Sequence, residues 1–128
     1  MELKSKIDAI SITIDEDKIV TVRPTAGYDV NMNDIKTTFF WAVNEVKPHK
    51  MNAMVVGSQG ISFDPDARDF LKSKEFQENI ENYAIVVANF GQRLLADFLF
   101  KLQKPLFDFK VFTSEKNAKK WLLNKSTK

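Results

Sequence analysis

"NYAIVVANFGQRLLADFLFKLQKPLFDFKVFT", residues 82–113, holds a strand, a helix and a second strand in one run. The opening part, Tyr83 to Ala88, is almost continuously apolar, as in a strand covered on both faces. From Phe90 to Gln103 the apolar residues switch to helical spacing. Leu94, Leu95, Phe98, Leu99 and Leu102 share one stripe, and the expectation is that this stripe faces inward. Phe100 projects from the opposite side, between Arg93, Ala96 and Gln103. Pro105 closes the helix, and "FDFKVFT" supplies the next strand. A strand–helix–strand of this length brings its two strands together in parallel.

Outward from that unit the same alternation continues. Downstream, "SEKNAKKWLL" is a helix held by Ala118, Trp121 and Leu122, with Thr113 or Ser114 as its cap. Upstream, "MNAMVVG" reads as a buried strand. "DPDARDFLKSKEFQENI" reads as a helix with Asp64 as N-cap, Pro65 at its first position and an irregularity near Ser73. "NMNDIKTTFFWAVNEVKP" is a further helix, capped by Asn31 or Asn33 and stopped by Pro48. Ile35, Phe39, Ala42, Val43 and Val46 form its inner stripe, with Phe40 and Trp41 off it. The chain begins with a hairpin, "IDAISITIDEDKIVTVRP", in which Ile10, Ile12 and Ile14 alternate with polar residues about an acidic tip, Asp15-Glu16-Asp17. The order ββαβαβαβα predicts one α/β domain over residues 1–128: a mixed five-stranded sheet with about four helices.

Bulk properties set limits on chemistry. The 128 residues are 44% hydrophobic and 28% charged, with a net charge of +2, ordinary values for a globular protein. So even a balance gives no general attraction to nucleic acid or anionic lipid. Lys116, Lys119, Lys120, Lys125 and Lys128 cluster near the C-terminus, read here as a solvated helix face. With no cysteine there is no disulfide, thiolate catalyst or cysteine zinc site, and a cytoplasmic location is expected. Neither a signal peptide nor a membrane span is expected, because no apolar run approaches the roughly 20 residues a bilayer needs. Eleven phenylalanines are many for this length. They imply a full core with aromatic surface to spare.

The motif set "AIVVANFGQRLLADFLFKLQKP" followed by "FKVFTSEKNAKKWL" resembles a family of small uncharacterised bacterial proteins with the SpoIIAA-like (STAS/SEC14-type) fold. The shared features are the apolar strand, a Gly-x-Arg-like helix start and an apolar helix ending in Lys-Pro. Phe-Thr and a helix closing with Ala-x-x-Trp-Leu complete them. The resemblance implies a SpoIIAA-like fold for most of the chain. In the anti-sigma-factor antagonists of that fold, the helix start after the central strand carries an Asp, a phosphorylated Ser and a Gly. The matching positions here are Asp64, Asp66 and Ala67, so the accepting hydroxyl is missing. Asp66 is either a fixed negative charge in its place or, more simply, a carboxylate favoured by the helix dipole.

Other candidates fall short of a catalytic arrangement. Gly57-Ser58-Gln59-Gly60 lacks the spacing and lysine of a phosphate-binding loop, and reads as a turn. His49 is the single histidine and, with no Gly-x-Ser-x-Gly elbow in the chain, reads as an exposed loop residue without a catalytic role. Asp64, Asp66 and Asp69 lack the turn glycine of a calcium loop. No enzyme activity, cofactor or metal is therefore expected. The expected function is a non-catalytic binding or regulatory module that engages another protein or a second copy of itself through Phe40, Trp41, Arg93 and Phe100. The competing expectation, implied by SEC14-type relatives, is carriage of a small apolar or lipid-like ligand.

Overall fold

The computed structural model of the chain describes residues 3–6, 9–57 and 62–126. Its centre is a mixed sheet of six strands: β1 (Leu3–Lys6), β2 (Ile10–Ile14), β3 (Ile19–Pro24), β5 (Met51–Val56), β7 (Ile80–Val86) and β8 (Asp108–Phe112), in that spatial order. The first three are antiparallel neighbours, and β3, β5, β7 and β8 run parallel. All five strands expected from the alternation pattern form. The added edge strand β1 has no apolar alternation, and its backbone pairing to β2 is what makes it a strand. A separate two-residue pair, β4 (Asp29–Val30) with β6 (Ser62–Phe63), lies inside segments read as connectors.

Five helices fill the crossovers and the end of the chain: α1 (Met32–Val46), α2 (Pro65–Leu71), α3 (Lys74–Glu78), α4 (Phe90–Gln103) and α5 (Glu115–Ser126). Asn31 and Asp34 cap α1 reciprocally. Asn31 Oδ1 accepts from the Asp34 N–H at 2.9 Å, and Asp34 Oδ2 accepts from the Asn31 N–H at 3.1 Å. The irregularity near Ser73 is a break between two helices. Ser73 ends α2 by donating to the Phe70 carbonyl and starts α3 by accepting from the Phe76 N–H.

Alternation along the strands sends side chains to two unequal cores. The front core joins Ile10, Ile12, Ile14 and Val20 to Phe39, Phe70 and Phe76 from α1, α2 and α3. Phenylalanines dominate it: Phe39 lies 4.9 Å from Phe76 and 5.6 Å from Phe70, centroid to centroid. On the back, Ile19, Met54, Ala84 and Val86 meet Ala118 and Leu122 of α5, the three residues expected to hold that helix being Ala118, Trp121 and Leu122. Ser114 caps it, accepting from the Asn117 N–H at 3.3 Å.

At the start of α5, Glu115 takes both guanidinium arms of Arg23, at 2.6 and 3.0 Å. These hydrogen bonds, with the guanidinium charge, hold the Glu115 carboxyl below its usual range. A carboxyl depressed in the folded state adds stability above its unfolded pKa and loses it as pH falls through the folded value. Both side chains are nearly half exposed, so the pair contributes under about 1 kcal/mol. Urea unfolding at pH 7 should therefore find Glu115→Gln slightly weaker than the wild type. Below the usual carboxylate pKa near 4.3 the difference should begin to shrink, and it should vanish once pH falls below the depressed value of Glu115 in the folded protein.

Candidate interaction surface

Helix α4 is well built locally. Asn89 Oδ1 accepts from the Gln92 N–H at 2.9 Å, and Gln92 Oε1 accepts from the Ala88 N–H at 3.0 Å. At its other end Lys104 adopts a left-handed conformation, φ 49°, ahead of Pro105. The apolar stripe forms as the spacing requires, but its direction is the reverse of the expected one. Leu94, Leu95, Phe98, Leu99 and Leu102 are 46–64% exposed, and α4 has no buried residue.

The inversion has a geometric cause. At 100° per residue, Phe90, Leu94, Phe98, Leu102, Leu95 and Leu99 span half the helix circumference, while Ala96 and Phe100 lie on the other half. That second side meets the sheet. Phe100 packs against Phe109 of β8 at 5.3 Å and Tyr83 of β7 at 6.3 Å. Tyr83 in turn contacts Phe107 at 5.2 Å, so aromatic rings fill this end of the front core. Leu106, just past the helix, adds a further exposed apolar side chain, at 68%.

At roughly 150–200 Å² per whole apolar side chain, the exposed fractions of this face amount to on the order of 700 Å². A soluble monomer seldom leaves so much contiguous apolar area uncovered. One edge of the face carries an ion pair, Lys101 Nζ to Asp97 Oδ2 at 2.9 Å. Arg93 lies on the same edge, with its guanidinium 5.3 Å from the Phe90 ring centre.

The four residues expected to form a binding surface do not come together. Phe40, on α1, is 41% exposed and meets Phe39 and Phe70 edge-on. Trp41 is half-buried against the front core. Phe100 is the inward anchor of α4, a correction to its outward reading, because the seam between Tyr83 and Phe109 accepts its ring. Arg93 alone of the four borders the exposed face. The signal that could have located that face was small. The other half of the helix carries Phe100 among Gln92, Arg93, Ala96 and Gln103, and that one large ring was the sign that this side could also face inward.

Between α2–α3 and α4 lies an open cleft of about 270 Å³. Leu71, Phe76, Tyr83 and Phe100 form its apolar wall, with Arg68 and Lys72 also lining it. Burial pushes the Tyr83 phenol well above its ordinary pKa, so it stays protonated. A smaller apolar cavity of about 80 Å³ lies within the front core, and Leu71, Phe76 and Tyr83 line both spaces.

The remaining candidates have structural roles where they are described. Asp64 caps α2, its Oδ1 accepting from the Ala67 N–H at 2.8 Å, and Asp66 is exposed in the first turn. Gly57 donates its N–H to Val86 O at 2.9 Å, and a Cβ there would sit 3.3 Å from that oxygen, which explains the glycine. Ser58, Gln59, Gly60 and Lys128 lie outside the described residues. His49 is exposed in the turn after α1. Asp15, read as part of a solvated tip, builds that turn: Oδ1 accepts from the N–H groups of Asp17 and Ile19, and Oδ2 meets Lys119 at 3.1 Å. Among the described residues no three His, Cys, Asp or Glu side chains group as a metal site, and no helix is long and apolar enough to cross a membrane.

A crystal structure of an uncharacterized protein from the DUF3478 family with a SpoIIAA-like fold, from Shewanella loihica PV-4, is similar over 94% of this chain and 98% of its own. The TM-score is 0.69 at 17% sequence identity, which shows the SpoIIAA-like fold expected from the sequence resemblance. No curated protein matches the chain in sequence. The family model for "Domain of unknown function (DUF7793)" matches residues 12–126, and the chain belongs to that family.

Proposed function

We propose that this domain is a non-catalytic protein-binding module of the cytoplasm whose docking face is the outward side of α4. The observation that supports it is the inverted helix. A chain that places Leu94, Leu95, Phe98, Leu99 and Leu102 in water, and a single large side chain of α4 on the sheet, gains from covering the outer face. The interaction surface first expected at Phe40, Trp41, Arg93 and Phe100 thus moves to the opposite side of α4, with Arg93 on its rim.

A photo-reactive phenylalanine analogue in place of Phe98 tests this inside the cell, with the same probe at exposed Lys120 as control. Protein adducts at position 98 and none at position 120 are the expected result. Adducts to lipid only, or none, would refute the reading. Carriage of a small amphipathic ligand is the second reading, favoured by the cleft, whose apolar wall sits beside Arg68 and Lys72. Its volume approaches the smallest ligand pockets, about 300 Å³. Native mass spectrometry of freshly purified protein separates the two, since only a carrier retains an added small mass.

A further inference from the structure

Resting on the reading of α4 as a docking face, we infer that its occupant is a second copy of this chain, with the two α4 helices packed antiparallel across a two-fold axis. The first support is area. An exposed face on the order of 700 Å² nearly equals the ~800 Å² that each partner of a standard stable interface contributes. One equal partner would cover most of it.

The second support is the pattern of the face. Phe90, Leu94, Phe98 and Leu102 form a continuous four-residue ridge with Leu95 and Leu99 beside it, and such ridges interdigitate with grooves of the same kind. No charged residue interrupts the ridge. A two-fold axis makes the interface isologous, so the face must be complementary to itself.

Charge provides the third support. In an antiparallel pair related by a two-fold axis, each edge of a helix meets the same edge of its copy. The edge here carries Asp97 and Lys101 one turn apart, already 2.9 Å from each other. Antiparallel alignment about Leu99 sets Asp97 of each copy opposite Lys101 of the other, whereas a like-charged edge would repel itself. The same pairing argues against an anionic membrane as the occupant. Surface-lying helices rely on rows of free cations beside the apolar face; on this edge Asp97 neutralises Lys101, which leaves Arg93 as the remaining cation.

Sedimentation equilibrium of the full chain at about 10–100 µM, the range in which micromolar dimers are populated, tests the inference. The expected species has twice the 14.7 kDa chain mass. Phe98→Glu should weaken association at least ~100-fold by burying an unpaired charge. Circular dichroism should show that variant still folded, because Phe98 faces away from the sheet. Lys101→Glu should weaken association about tenfold through facing carboxylates, and adding Asp97→Lys should restore it. A monomeric wild type, a Phe98→Glu dimer, or failure of the double exchange to restore association would each overturn the proposed packing. So would a monomer that cosediments with vesicles of phosphatidylglycerol and phosphatidylethanolamine. A monomer that still cross-links to a different protein from position 98 would overturn the second copy alone and leave the binding-module reading standing.

Discussion

Phe76→Ala is expected to lower the unfolding free energy by about 3–4 kcal/mol, near the middle of the range for truncating a buried aromatic ring. Phe76 is 7% exposed on a helix of five residues, and its ring contacts Phe39, Phe70 and Tyr83. It therefore ties α1, α2 and β7 together from an element too short to be stable alone. The site also has little chance to collapse around the loss. Phe76 lines both the internal cavity and the outer cleft, so truncation would enlarge both spaces at their shared wall. The residual void adds to the lost transfer energy. Differential scanning calorimetry should record a drop in melting temperature of roughly 10–15 °C for a domain of this size. A drop below about 3 °C would mean that the surrounding rings close the gap.

Leu122→Ala is expected to cost about 3 kcal/mol, within the range for a fully buried leucine. On the back of the sheet α5 is the covering helix among the described residues, and Leu122 is completely buried. Ala84 and Ala118, both at 0% exposure, let α5 approach closely, so Leu122 supplies the main side-chain volume from the helix. Removing it leaves a void beside Ala84 and Ala118 that Met54 and Ile19, the larger buried side chains of this core, can fill only in part. The Trp121 ring, 5.9 Å from Phe112, is a local reporter. Urea titration followed by tryptophan fluorescence should show a lower midpoint with an unchanged slope.

The architecture was legible because its signals are local and repeated. Ile10, Ile12 and Ile14 alternate, Pro48 and Pro105 end helices, and Asp64 with Pro65 starts one, each by rules that hold whatever lies nearby. Two features left no such trace. β1 is defined by hydrogen bonds to a neighbour, and β4 with β6 is too short for any period to appear. The candidate surface was half legible. Spacing gathered Leu94, Leu95, Phe98, Leu99 and Leu102 onto one stripe, and the structure bears that out. Periodicity identifies a face without saying what it faces, however. The ordinary assumption that the greasier side looks inward sent Phe100 outward and the leucines in. Trp41 misled for a related reason: off the main stripe of α1 it still reaches the front core, since a large ring covers ground that a helical wheel assigns to its neighbours.

How α4 is attached bears on how the molecule will behave in a tube. A helix whose large inward side chain is Phe100 would gain rigidity from a partner on its far side, and anything that binds the native state alone raises its apparent stability by mass action. If the far side of α4 is covered as proposed, the melting point should climb with the concentration of the occupant. Amide exchange along residues 90–103 should slow in step with it, while the sheet beneath keeps its own pace.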